Sequence, residues 1–323
     1  MKASGIPRCV ILVVAAVALS GCAASKDPFP FKIEPRAAQV EAEESTTVQS
    51  TFDATDQELE KQADQLIQQG NLPLALVKYD ASLKRNRGNT RVHYKKGILL
   101  LKVGSHDEAI KSFQEVIRRE PENPRAYQAI GQAWFQKKNY REAKDALQKA
   151  VALDPGLWKS HNLLGVIHNY GQNDPEAILE FKAAIFIQPE EGMLYNNLGL
   201  AYSMSEAYDL AAEAFQNAIN LGYSDEKVYN NLGMALARSH NMDQAYQAFV
   251  KGGGEAKAHN NLGCIYLEEG NTQQAIHHFK KAFSLSPEFY QKASDNLSKT
   301  KLAQGGGGSS SRFFHAINPV EVR

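Results

Sequence analysis

Small and apolar positions return along this chain with a fixed period. Ala75, Ala109, Ala143, Ala177, Ala211 and Ala245 stand 34 residues apart, and Ala275 follows after 30. Gly97, Gly131, Gly165, Gly199, Gly233 and Gly263 keep the same register, with the same shortened last step. Four residues after each alanine comes a large apolar side chain: Tyr79, Phe113, Leu147, Phe181, Phe215, Phe249 and Phe279. Within one period the pattern is helical. Tyr195, Leu198, Gly199 and Tyr202 fall at i, i+3, i+4 and i+7, one face of a helix. Ala211, Phe215 and Ala218 make a second such stripe, and the glycine and alanine allow the two helices to approach closely while the aromatics fill the flanking space. Pro121, Pro155, Pro189 and Pro287 end the second helix of their periods, since proline cannot continue a helical ladder. A lone helix pair cannot bury both faces, so stability must come from stacking neighbours. The pattern predicts an all-α stack of helix pairs with a concave groove.

These residues resemble the tetratricopeptide repeat, whose pattern runs W-x2-L-G-x2-Y, A-x3-F-x2-A, P. The copy from Trp158 to Glu191 supplies Leu164-Gly165, Ala177, Phe181, Ala184 and Pro189 at those spacings. The next, Gly192 to Asp225, supplies Tyr195, Leu198-Gly199, Tyr202, Ala211, Phe215 and Ala218. Copies beginning near Asp56, Thr90, Pro124, Glu226 and Ala256 complete seven, over residues 56–289. The resemblance implies a right-handed superhelix of about seven helix pairs. Residues 290–304 are expected to form a capping helix, with Tyr290, Ala293, Leu297 and Leu302 turned inward. Two copies depart from the pattern. The first has Ala63 for the glycine and Arg87 for the proline, as an end repeat does. The sixth is four residues short and carries Gly252-Gly253-Gly254 where its second helix should finish. Glycine costs a helix about 1 kcal/mol per residue, so that helix is expected to stop early. Either a hinge or a tolerated deletion accounts for the gap.

The N-terminus changes the picture of where the repeats reside. Lys2 and Arg8 precede an apolar run from Cys9 to Leu19, too short to anchor across a bilayer. Such a stretch reads as a secretory signal peptide over residues 1–21. Leu19-Ser20-Gly21-Cys22 resembles the bacterial lipobox, which implies cleavage before Cys22 and diacylglycerol on its thiol. An ordinary signal peptide cut near Ala23 or Ala24 is the other reading. Ala23 after the cysteine, rather than aspartate, implies an outer-membrane address facing the periplasm. Residues 22–55 hold Pro28, Pro30, Pro35 and an acidic cluster at Glu41, Glu43 and Glu44, the composition of a flexible tether. Without residues 1–21, 34 basic face 36 acidic side chains. That balance shows no nucleic-acid footprint. Of three cysteines, only Cys264 lies in the repeats, so no internal disulfide is available there.

The first helix of each pair lines the concave wall in this repeat. The candidate partner-binding residues on it are Phe135, Val166, Leu200 and Met234, with a row of amides at Asn162, Asn196-Asn197, Asn230-Asn231 and Asn260-Asn261. Apolar surface of that extent marks a partner site when exposed, unless neighbouring helices cover it. An amide offers donors and an acceptor to the backbone of any extended peptide. Asn197, Asn231 and Asn261 resemble the asparagine ladder of peptide-gripping repeat superhelices, although Asn-Leu-Gly is also ordinary wording for this repeat. Arg91, Arg125, Lys159, Lys227 and Lys257 add cations that either select a carboxylate or are simply solvated.

Catalytic patterns do not emerge, and neither an enzyme activity nor a cofactor or metal is expected. His161 and His168 occupy the Trp and Tyr slots of their repeat, and His93 and His259 also fill aromatic slots. His277 and His278, adjacent in a helix, point about 100° apart and cannot chelate one ion together. Residues 305–323 form a Gly/Ser linker and a tail in which Phe313, Phe314, Ile317 and Val320 make a small apolar motif.

A finer resemblance lies near the end. The run from Gly254 to Gly263, then Leu285-Ser286-Pro287-Glu288-Phe289-Tyr290 leading into Ala293, Asn296 and Leu297, resembles the TadD lipoproteins of tight-adherence (Flp, type IVb) pilus systems. It implies a scaffold assisting localisation or assembly of an outer-membrane secretin. Other lipoproteins of this repeat act as adaptors for peptidoglycan hydrolases or outer-membrane protein assembly, which is the alternative.

Overall fold

A computed structural model describes residues 55–286, 294–296 and 298. The signal peptide, Cys22, the tether up to residue 54, most of the capping segment and the 305–323 tail lie outside the described residues. Every regular element among the described residues is an α-helix. They run α1 (Asp56–Gln68), α2 (Leu72–Arg85), α3 (Thr90–Lys102), α4 (His106–Arg119), α5 (Pro124–Gln136), α6 (Tyr140–Leu153), α7 (Trp158–Tyr170), α8 (Asp174–Ile187), α9 (Gly192–Met204), α10 (Tyr208–Asn220), α11 (Glu226–Arg238), α12 (Met242–Glu268) and α13 (Thr272–Leu285). With α12 kinked into two arms, these make the seven expected pairs. The chain divides into two compact units, one ending at Ile167 and the other beginning at His168, a boundary inside α7. In the first unit α1 packs on α2, α3 on α4 and α5 on α6; in the second α9 packs on α10, α11 on α12 and α12 on α13.

The three sequence ladders form the core of each pair. All seven ladder alanines are fully buried, and their large apolar partners are at most 1% exposed. Burying one such side chain contributes about 1.5–3 kcal/mol. The aromatics do not flank the glycines, as the sequence reading has it, but sit directly on them. A Cβ added at Gly97, Gly199, Gly233 or Gly263 would stand 2.5 to 2.7 Å from the ring of Phe113, Phe215, Phe249 or Phe279. At Gly131 the same place is taken by Leu147, at 2.5 Å.

Local chemistry sets the helix ends. Asn71, Asn89, Asn123, Asp225 and Asn271 each accept the N–H three residues on, satisfying a donor that the first turn leaves open. Helices α4, α6 and α8 end two residues before Pro121, Pro155 and Pro189. Between the helices of each pair stands a left-handed residue: Gly70, Gly104, Lys138, Gln172, Glu206, His240 and Gly270, with φ between 57° and 81°. The closing hydrogen bonds at the first turn run from Gly70 N to Ile67 O (3.1 Å) and Asn71 N to Leu66 O (2.8 Å), the 5→2 and 6→1 pair that ends a helix on a left-handed residue.

In the sixth repeat the second helix runs from Met242 through Gly252 and Gly253 and breaks at Gly254 (φ 83°, ψ 171°), one to two residues sooner than its counterparts, as the glycines lead one to expect. The shortened step replaces the usual inter-repeat loop with this kink, so one helix bends into the next. Gly252 is buried, and a Cβ there would lie 3.0 Å from the Glu226 carbonyl and from Tyr229 Cβ.

Candidate partner-binding face

Neighbouring first helices touch one another, α3 with α5 in the first unit and α9 with α11 in the second. That close row is where the candidate residues stand, and its tightness decides which of them a partner can reach. Leu200 is 2% exposed and Val166 3%. Phe135 is buried and lies against Tyr140, ring centroids 5.6 Å apart. Met234 is half-buried against the cluster of Ala237, Phe249 and Leu262. Ile98, on α3, is 43% exposed.

The amides divide in the same way. Asn162, Asn196, Asn197 and Asn260 are buried, whereas Asn230, Asn231 and Asn261 are half-buried. The structure ties them across repeats as much as it presents them. Asn261 Nδ2 donates to Asn230 Oδ1 at 3.5 Å, a long contact linking α12 to α11. Asn296 Nδ2 donates to Asn260 Oδ1 at 3.2 Å. Asn196 Nδ2 lies 3.5 Å from Asn197 Oδ1. Among the described residues, Asn196 Oδ1 and Asn231 Nδ2 are buried atoms without a hydrogen-bond partner. An unmet buried donor or acceptor costs about 1–3 kcal/mol.

Part of the basic row is engaged within the protein. Arg91 Nη2 meets Glu60 Oε2 at 2.6 Å, and Glu60 is itself 4% exposed. Lys95 Nζ reaches Glu60 and Asp64 at 2.7 and 2.5 Å. Lys257 meets Glu226 at 2.8 Å. Lys159 lies over the Trp158 ring. The carboxylate partners escape a reading of single repeats, yet a signal exists: Glu60 and Arg91, Asp64 and Lys95, and Glu226 and Lys257 are all 31 residues apart. On the opposite layer, α8 exposes Phe186 at 90% and Leu179 at 67%. Apolar doublets at Ile178-Leu179 and Ile185-Phe186 mark that second face in the sequence.

The histidines take structural positions. His93 Nε2 and His161 Nε2 each lie 3.1 Å from a carbonyl six residues earlier, Arg87 O and Pro155 O. His277 and His278 have perpendicular rings, but His278 meets His259 on the adjoining helix, a pairing that the sequence reading lacks. The Cys264 thiol is buried, which with the charge of Glu268 pushes it up to about 12. Among the described residues no group of three or more His, Cys, Asp or Glu side chains is placed to hold a metal ion. No described helix is long and apolar enough to cross a membrane.

Known proteins agree on the architecture. The tetratricopeptide-repeat family pattern matches residues 60–110, 94–157 and 139–192, and again 256–289. A tetratricopeptide repeat protein from Parabacteroides merdae ATCC 43184 is similar in structure (TM-score 0.53, 17% identity, 76% of this chain and 98% of that one). The MamA protein is 26% identical over 50% of this chain and 94% of its own, with a TM-score of 0.47. YrrB, described as a TPR protein with an unusual peptide-binding site, is 23% identical over 58% of this chain and 97% of its own, with a TM-score of 0.49. No curated protein matches the chain in sequence. Carried by the family matches on both sides of residue 200 and by ladders that the fold places at the heart of each helix pair, the assignment is plain: the chain belongs to the tetratricopeptide-repeat family.

Proposed function

We propose that this protein is a non-catalytic scaffold holding a segment of a partner protein against the first-helix face of its second unit. One observation carries the reading: Asn230, Asn231 and Asn261 stand together, half-buried, beside half-buried Met234. The half-buried amide side chains offer donors and acceptors to a peptide backbone whatever its sequence, and Met234 offers an adaptable apolar contact. Asn196, Asn197, Asn260 and Leu200, in the same unit, are buried and leave these four residues as the reachable part of the face.

The partner on this reading is a secretin subunit of a tight-adherence pilus, and the scaffold hangs in the periplasm from lipid on Cys22 in the outer membrane. The lipobox-like Leu19-Ser20-Gly21-Cys22 supports the anchor, and the TadD-like run from Gly254 to Gly263 supports the partner. Deleting the gene tests it. Secretin multimers in outer-membrane fractions should fall and be restored by the wild-type gene but not by Cys22→Ala. Unchanged multimers would refute the pilus assignment, and loss of peptidoglycan-hydrolase localisation instead would hand the function to the adaptor alternative.

A further inference from the structure

The stack of repeats leaves one apolar motif without a role: Phe313, Phe314, Ile317 and Val320, beyond the described residues. Where the chain that carries it departs is fixed. Asn296, 3% exposed, donates through Nδ2 to Asn260 Oδ1 at 3.2 Å and lies 3.7 Å from Cys264 Sγ. Both partners stand on the second arm of α12. The next residue, Asn261, belongs to the half-buried amide face and reaches Asn230 on α11. The tail therefore starts beside that face, in the same unit.

We propose that the Phe313–Val320 motif docks on this face, over Asn230, Asn231, Asn261 and Met234, as an internal plug that a partner must displace. Its regulatory meaning rests on the partner-binding role proposed for the face. Phe313 follows Asn296 by 17 residues. Even with residues 297–304 wound into the expected capping helix, about 12 Å long, the Gly/Ser-rich run to Phe313 adds a reach of about 15 Å. Neighbouring helices stand about 8–10 Å apart, so α12 and α11 are both within range. The chemistry matches as well. Amides serve the backbone of any segment, and a methionine thioether packs favourably on an aromatic ring, which Phe313 and Phe314 supply to Met234. The exposed Leu179 and Phe186 of α8 are a poorer seat, three repeats before α13 and on a helix without an amide side chain. A short linker holds its motif at an effective concentration of about 1 mM. An intrinsic dissociation constant of about 0.1 mM then fills the face about nine-tenths of the time and weakens a competing ligand about tenfold.

Fluorescence anisotropy of a labelled synthetic peptide covering residues 309–323, titrated with the purified full chain, tests the plug. The Phe313→Ser/Phe314→Ser chain, its face vacated, is expected to bind the peptide about tenfold more tightly than the wild type does. Adding Asn230→Ala/Asn231→Ala/Asn261→Ala to that chain should weaken the binding at least tenfold. No binding by the Phe313→Ser/Phe314→Ser chain, affinity equal to the wild type's, or binding retained after the amide substitutions overturns the proposal. If the amide substitutions abolish helical circular dichroism, the ¹³C-methyl NMR signal of Met234 decides. A shift of that signal between the wild type and Phe313→Ser/Phe314→Ser supports the contact; an unchanged signal refutes it. The probe is the tail and not a secretin, so failure here leaves the partner assignment standing, and failure of secretin binding leaves the plug.

Discussion

At Gly199 only a hydrogen atom separates the backbone of α9 from the ring of Phe215; a Cβ would stand 2.7 Å from the ring. Two effects oppose each other on Gly199→Ala. Alanine favours a helix interior by about 1 kcal/mol, whereas overpacking a fixed aromatic costs about 1–3 kcal/mol. Phe215 is fully buried and has nowhere to turn, so packing wins. Gly199→Ala should lower the urea midpoint, and an unchanged or raised midpoint would show that the ring yields. The sequence makes this contact legible because glycine and phenylalanine recur together. It hides the left-handed turn at Lys138, Gln172, Glu206 and His240, because those residue types carry no mark of positive φ. The equivalent places in other repeats are Gly70, Gly104 and Gly270, a signal too intermittent to read without coordinates.

At the scale of elements, three adjacent glycines have three different roles. Gly254 alone adopts φ 83°, ψ 171°, a region that is essentially glycine's. Nothing lies within 4 Å of a Cβ there, so the cost of Gly254→Ala is conformational, about 1–3 kcal/mol. Gly253 is helical, and its added Cβ would stand 2.4 Å from Lys257 Cδ, 3.3 Å from Lys257 Cβ and 3.4 Å from Glu226 Oε1, so the lysine chain that pairs with Glu226 must shift. Alanine's helix propensity, about 1 kcal/mol, offsets that shift, so Gly253→Ala should cost less than Gly254→Ala. Chemical denaturation of both variants checks the contrast; equal losses would mean that the bend at Gly254 is not the native one. The four-residue deletion was visible in the shortened Ala245-to-Ala275 step. Which glycine bends was not, because propensity treats all three alike and only the packing of Gly252 on α11 keeps the helix going.

Across the whole molecule, the wall that one repeat presents on paper is partly covered by the next. Asn196, Asn197 and Leu200 are buried where first helices touch, a consequence of stacking that no single helical face reveals. The cations at Arg91 and Lys257 likewise meet carboxylates of the preceding repeat; the partly exposed Lys257–Glu226 pair contributes at most about 1 kcal/mol, whereas Glu60 is buried and depends on Arg91 and Lys95 to balance its charge. Asn230, Asn231, Asn261 and Met234 are only half-buried and form the part of this wall that a partner can reach. The decisive measurement is the affinity of purified secretin subunit for this protein and for its Asn230→Ala/Asn231→Ala/Asn261→Ala variant, with folding followed by circular dichroism. The account predicts binding to the wild type and at least tenfold weaker binding to a fully folded variant. Equal affinity for the two would contradict it, leaving the amides as packing residues and the first-helix face without its assigned role.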